Sequence, residues 1–446
     1  MKRPTLYLVL AGLLAWSLPV GAEICTIDDV PAATLLLPYF EVGEGVNTLF
    51  SINNASASAA LVHVTVWTDQ SVPTLDFDVY LTGYDVQTIS MADIFEGNLP
   101  PTADAGADPR DTSNPNDGIS NKGLISQDIN FPDTMGPCTA PYTNPELDNF
   151  RLTNLIAAHT GNNAPAYGGC LGANYGDNVL RGYVTMDSTT QCNLLFPASA
   201  NYFSSGIPDN RNILWGDYFY VNDAQNFAQG ETLVHIESCP TPSVGNGIDE
   251  CPFLPGEYTF YGRYAAVAGQ DQREPLPTTF ATRFLNGGIF DGGTDLIVWR
   301  DSKTVPTGLN GPYLCGAANR PPWFHLNQTD VVAFDEQENP EDLCFSSDVG
   351  SPPLGGGPTC FPLETQRVSL SGDNVIGADP APTASFGWLY LNLNSYVLGI
   401  SYPAADPAIT QTWVTTVMDA AGRFSVGFDA IQLDSACSPQ DIVFIP

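Results

Sequence analysis

The stretch Leu61-Val62-His63-Val64-Thr65-Val66-Trp67-Thr68-Asp69 sets Val62, Val64 and Val66 on one side of an extended chain and His63, Thr65 and Trp67 on the other. Residues 76–81 do the same, with Phe77, Val79 and Leu81 alternating with Asp76, Asp78 and Tyr80. A period of two marks a strand, because successive side chains of a pleated chain point to opposite faces. Similar alternation recurs at 48–52, 86–91, 181–186, 232–236, 279–284, 295–299, 366–370, 388–393, 413–417 and 424–433, with turn residues between. Only 144–158 reads as helix, with Asn144 as cap and Pro145 at the first helical position. The expectation is an all-β chain built of β-sandwiches.

Working outward, two colinear sets of short motifs divide the 446 residues into related halves. Val66-Trp67-Thr68-Asp69 matches Val298-Trp299-Arg300-Asp301, and Gln87-Thr88-Ile89-Ser90-Met91 matches Gln366-Arg367-Val368-Ser369-Leu370. Gly182-Tyr183-Val184-Thr185-Met186-Asp187 matches Gly387-Trp388-Leu389-Tyr390-Leu391-Asn392, and Asp223-Ala224 with Phe227 and Cys239 matches Asp419-Ala420 with Phe424 and Cys437. Fixed order across weak matches is the signature of a duplicated unit. The division expected is a signal peptide over 1–22, a first sandwich over 23–240 with an insertion at about 97–178, and a second over 252–446 with an insertion at about 302–362.

The signal reading rests on Lys2 and Arg3, an apolar run over 6–18, and Val20-Gly21-Ala22 before Glu23. No later stretch reaches the roughly 18 apolar residues of a membrane span, so release to the periplasm or exterior without stable membrane insertion is expected. Strands this short and irregular do not suit an outer-membrane barrel either. In an exported chain the ten cysteines, Cys25, Cys138, Cys170, Cys192, Cys239, Cys251, Cys315, Cys344, Cys360 and Cys437, read as five disulfides. The absence of any C-x-x-C pair speaks against a metal cluster. Five cysteines lie on each side of the 240–252 linker, so full oxidation requires either a bridge between the halves or closure of the linker by Cys239 and Cys251. Within the first insertion, Cys138 and Cys170 form the expected pair, and the rest stay open.

Fifteen basic against 49 acidic residues give a net charge of −34, which excludes nucleic acid as a partner because phosphate contact needs clustered Lys and Arg. The four histidines form no H-x-H or H-E-x-x-H pair, and no G-x-S-x-G elbow occurs, so no catalytic residue is assigned. Two acidic loops could take calcium through clustered oxygens. One carries Asp335, Glu336, Glu338 and Asp342; the other lies at 104–121. No other cofactor is expected. Loop aromatics that could hold a sugar are Trp323 and Phe324 beside His325, with Tyr142, Tyr167 and Tyr175 behind them.

The run Asp29-Val30-Pro31-Ala32-Ala33-Thr34-Leu35-Leu36-Leu37-Pro38-Tyr39-Phe40, continuing through Thr48-Leu49-Phe50-Ser51-Ile52-Asn53-Asn54-Ala55-Ser56, resembles exported bacterial proteins of unknown function. The likeness extends to Trp215-Gly216-Asp217-Tyr218-Phe219-Tyr220-Val221 and Gln225-Asn226-Phe227-Ala228-Gln229-Gly230-Glu231. The strand, Asn-x-Ser turn, strand pattern is also similar to bacterial immunoglobulin-like modules. Such a resemblance supplies no catalytic residues. The expected role is structural or interactive, toward a protein or glycan partner, with carbohydrate binding or cleavage by loop aromatics and carboxylates as the alternative.

Overall fold

The computed structural model describes residues 29–81, 83–99, 147–191, 193, 195–239, 259–265, 270–301, 311–316, 326, 328–344, 359–394 and 411–434. The proposed signal and Cys25, Cys138, Cys192, Cys251 and Cys437 lie outside them. The first half runs β1 Thr34–Val42, β2 Val46–Asn54, β3 Ala60–Thr68, β4 Pro73–Leu81, β5 Val86–Ser90, α1 Met91–Phe95, α2 Asn149–His159, β6 Leu180–Thr189, α3 Ala200–Ser204, β7 Leu214–Trp215, β8 Asp217–Asn222, β9 Phe227–Thr232 and β10 Val234–Ile236. The second runs β11 Thr279–Leu285, β12 Gly293–Arg300, β13 Asp330–Phe334, β14 Pro340–Asp342, β15 Thr365–Ser369, β16 Phe386–Asn392, β17 Thr412–Asp419, β18 Ser425–Asp429 and β19 Ile431–Gln432. The protein is all-β and sandwich-like, with antiparallel sheets of which, among the described residues, none closes into a barrel.

Both halves follow one strand plan. The first half has sheets β4-β3-β6-β1-β10 and β5-β2-β8-β9; the second has β14-β13-β16-β11-β19 and β15-β12-β17-β18. Taking β1 with β11, β2 with β12 and so on in chain order, omitting the two-residue β7, matches every neighbour pair. The register agrees as well: Ile89 lies opposite Phe50 as Val368 lies opposite Leu296, and Tyr183 lies opposite Trp67 as Trp388 lies opposite Phe334. Gly182 and Gly387 share one constraint. A Cβ on Gly182 would stand 2.0 Å from the Trp67 carbonyl oxygen and 2.9 Å from the Phe40 ring; on Gly387 it would stand 1.9 Å from the Phe334 carbonyl oxygen and 3.1 Å from the Phe284 ring. Gly182→Ala and Gly387→Ala are each expected to cost about 1–3 kcal/mol through overpacking against backbone. Chemical denaturation of the two variants checks this, and a near-neutral effect at either glycine would break the equivalence.

The plan revises several sequence expectations. Trp67 lies in β3 and Trp299 in β12, the counterpart of β2, so these tryptophans do not correspond. Segment 302–362 is more than an insertion, since it supplies β13 and β14 to a sheet. The helix begins at Asn149, because the Asp148 side chain caps it by accepting from Arg151 N at 2.8 Å.

The halves do not have separate cores. One apolar cluster of the first half, including Leu37, Phe40, Val64 and Met186, takes in Ile297 and Val417 from the second. The other cluster, around Phe280, Phe284, Val298 and Leu391, takes in Leu36, Trp67, Tyr183 and Ile236 from the first. As a result β3 is buried along its whole length on both faces.

Candidate functional site: a buried polar seam

The face of β3 and β6 turned away from the first cluster carries His63, Thr65 and Trp67 opposite Asp187, Thr185 and Tyr183. Polar groups there must find partners from other segments, because an unpaired buried polar group costs several kcal/mol. Asp187 is the hub. It accepts from Thr34 Oγ1 at 2.6 Å, from the Tyr202 hydroxyl at 2.9 Å and from the Tyr261 hydroxyl at 3.1 Å, while Arg273 Nε lies 3.6 Å away. Arg273 is fully buried, with Asp271 3.7 Å from its other side. Tyr261 and Arg273 follow the linker, so a carboxylate in the middle of the first half's sheet is neutralised by the second half's leading segment.

His63 Nδ1 lies 2.8 Å from Asp78, and Nε2 faces Asp76 at 3.7 Å. Burial alone would pull this imidazole down, but the bond and charge of Asp78, with Asp76 and Asp187 behind it, hold its pKa above the ordinary value. A His–Asp pair is also how catalytic triads orient their base. Here the far nitrogen is aimed at a second carboxylate, and the ring is wholly buried, so the group acts as an internal ion cluster. The other two described histidines are buried as well. His159 meets Thr74 Oγ1 and the Arg181 carbonyl, both at 2.8 Å, and burial lowers it to about 4. His235 accepts from Gly216 N and is also lowered by burial.

Further along the seam, Arg263 reaches Asp301 at 2.7 Å and Glu364 at 3.2 Å beneath a stack of rings in which Trp67 lies on Tyr183 and Tyr264. The Asp69 carbonyl accepts from Glu364 N and Thr365 N, and its carboxylate accepts from Ala173 N at 3.0 Å. Burial lifts that carboxyl to about 7, and burial lifts Asp429, bonded to Thr415 and Trp413, to about 7 as well. An Asp69 protonated in the fold but ionised in the unfolded chain costs stability as pH rises from about 4 to about 7, and nothing further above that. His159 acts in the opposite sense, losing stability as pH falls from 6.5 toward 4. Asp69→Asn is therefore expected to reduce the parent's loss of stability between pH 5 and pH 8 by about 1 kcal/mol or more. Denaturation midpoints at the two pH values read it, with His159 common to both proteins.

The disulfides fix the same region. Cys170 pairs with Cys315, so the expected Cys138–Cys170 bridge does not form. The reason is local backbone pairing: Cys170 and Tyr313 exchange both N–H···O bonds at 2.9 Å, which lays the 311–316 segment of the second half on the first. This bridge joins the halves. Cys344 pairs with Cys360, and Cys239 is also disulfide-bonded.

Of the loop residues singled out from sequence, Trp323, Phe324 and His325 lie outside the described residues, as do Tyr142 and the acidic stretch at 104–121. Tyr167 donates to the Thr74 carbonyl, and Tyr175 lies under the Arg181 guanidinium, so both serve packing. Asp335 sits in the β13–β14 hairpin, where its carboxylate accepts from Gln337 N and Asn339 N and so holds its own turn. Glu336 and Glu338 follow in that turn, and Asp342 ends β14 opposite Val332. Among the described residues no group of three or more His, Cys, Asp or Glu side chains is placed to hold a metal ion. None of their helices is long and apolar enough to cross a membrane.

Comparisons with protein-family models, with curated proteins and with solved structures give no match. What the fold and the seam define is a class: a sandwich-type all-β protein whose two similarly wound halves are locked by buried ion pairs and a disulfide.

Proposed function

We propose that the chain is an exported, disulfide-braced β scaffold with a structural or interaction role at or outside the bacterial cell envelope, and that its halves arose by internal duplication. The observation that carries this reading is the Cys170–Cys315 bridge across the halves, since disulfides persist in oxidising compartments and are rare in the cytosol. The described histidines and the strongly shifted carboxylates support it too, because they are spent on partners inside the fold. The repeated strand plan supports the duplication.

The test is expression of the whole chain in an exporting bacterial host. The product is expected to begin at Glu23 and to yield Cys170–Cys315 in a non-reducing peptide map. Cys170→Ser with Cys315→Ser is expected to lower stability by about 2–4 kcal/mol, because the bridge closes a 145-residue separation. A chain that stays in the cytosol with both thiols reduced, and is as stable as the bridged form, would sink the proposal.

A further inference from the structure

The sheet β5-β2-β8-β9 turns Phe50, Ile52, Tyr218 and Tyr220 into the first apolar cluster, so the alternate residues of β2 and β8 stand on its other side. There Asn53 lies opposite Trp215 and Leu49 opposite Phe219. Trp215 is 43% exposed and Phe219 44%. A Cβ on Gly230 would stand 2.3 Å from both Cδ1 and Cε1 of Phe219, so that ring lies down over the glycine backbone. Between the two rings runs a polar band, in which Thr88 lies opposite Ser51 and Thr232 opposite Asp217. Ser51 Oγ donates to Asp217 Oδ1 at 2.6 Å, and Asn53 Nδ2 donates to Ser51 Oγ at 2.9 Å. This chain of bonds fixes the half-buried Asp217 carboxylate midway between Trp215 and Phe219.

The second half shows what this face becomes when protein covers it. With β12 and β17 in the places of β2 and β8, Trp413 stands for Trp215, Val417 for Phe219, Ile297 for Ser51 and Thr415 for Asp217. All four are at most 5% exposed, and Ile297 and Val417 join the first half's apolar cluster. Covering by protein therefore goes with an uncharged, partly aliphatic centre. The open copy keeps the tryptophan, adds a second aromatic ring, and has a carboxylate and a hydroxyl between them. That combination suits a ligand with apolar faces and hydroxyl edges, which is what a chain of pyranose rings offers. The C–H face of a sugar packs on the electron-rich face of an aromatic ring, and its hydroxyls bond the polar groups alongside. The strand positions of this face carry one carboxylate and no Lys or Arg, on a chain of net charge −34, so the ligand is uncharged.

We propose that this face binds a neutral polysaccharide, with sugar rings stacked on Trp215 and Phe219 and the Asp217 carboxylate accepting hydroxyls from the rings between. Trp215 and Phe219 are four residues apart along extended chain, about 13 Å, so the site spans more than one ring. The proposal rests on the interaction role given above and supplies its ligand class.

The test uses the whole exported chain, in affinity gel electrophoresis with hydroxyethylcellulose, galactomannan, laminarin and soluble starch, and in pull-down on insoluble cellulose and chitin. Polygalacturonate is the anionic control. At least one neutral polymer should retain the protein, and polygalacturonate should not. Trp215→Ala and Phe219→Ala should each weaken that binding ten-fold or more, and Phe219→Leu, which keeps an apolar side chain without the ring, should do the same if the alanine variant fails to fold. Trp388→Ala, which removes a 38% exposed tryptophan from the other half, should leave binding unchanged. Retention by none of the neutral polymers, or by polygalacturonate in preference, would overturn the proposal. So would binding that survives loss of Trp215 and Phe219, or that is lost with Trp388. A chain that is exported and bridged but binds no polymer would remove the glycan site and leave the scaffold reading standing, whereas a reduced cytosolic chain would remove that reading itself.

Discussion

Asp187→Ala is expected to destabilise the protein by about 3–5 kcal/mol, because it strips a buried cation of one of its two counter-ions and leaves three buried hydroxyls without their acceptor. Arg273 is fully buried, and without Asp187 its remaining carboxylate partner is Asp271 at 3.7 Å. The hydroxyls of Thr34, Tyr202 and Tyr261 would lose their common acceptor in the same step. Asp187→Asn keeps an acceptor and removes the charge, so its cost should fall between the parent and the alanine variant. Guanidinium unfolding followed by tryptophan fluorescence measures both. Because Asp187 stands in the first half, while Tyr261 and Arg273 lead into the second, the alanine variant should weaken both halves together in one transition. A cost below about 1 kcal/mol would mean that water replaces the carboxylate and that the hub does not hold the seam.

Trp67→Ala should have a similar cost, about 3–5 kcal/mol, as expected of a fully buried aromatic removed from a packed core. Trp67 is wholly buried, lies parallel to Tyr183 at 5.6 Å between ring centres, and donates from Nε1 to Thr185 Oγ1 at 2.9 Å. Tyr264 stacks on it from the second half, so the cavity would open at the seam. Trp67→Phe preserves most of the stacking area and loses the Thr185 bond, predicting a cost of about 1–2 kcal/mol. Thermal and guanidinium unfolding of the pair should rank them in that order. The reverse order would show that a phenyl ring is strained in the slot the indole leaves, so that shape and not retained area sets the packing there.

The strands legible in the sequence were those with one apolar and one polar side, such as β4, where Phe77, Val79 and Leu81 alternate with Asp76, Asp78 and Tyr80. Others escaped for a physical reason. β1 is buried on both faces, so Leu35, Leu36 and Leu37 run on without alternation, and β13 with β14 lies in a segment whose acidic turn reads as loop. The alternation over 388–393 marks β16 as a strand, but the exposure of Trp388 comes only from the structure, since a sequence does not say which face of a strand is covered.

By itself the sequence determined the all-β class, the acidic balance of the chain, and the correspondence of Gly182 with Gly387. Each follows from local pattern or from composition, which do not depend on what the strand meets. The tertiary structure decided the rest: that Cys170 bonds Cys315, that Trp67 and Trp299 are not counterparts, that the halves share their cores, and that Asp187 rather than any loop residue is the centre of the polar seam. These depend on contacts between residues tens to hundreds of positions apart. Such contacts are set by how two sheets pack and which buried charges find partners, and no spacing along the chain records that.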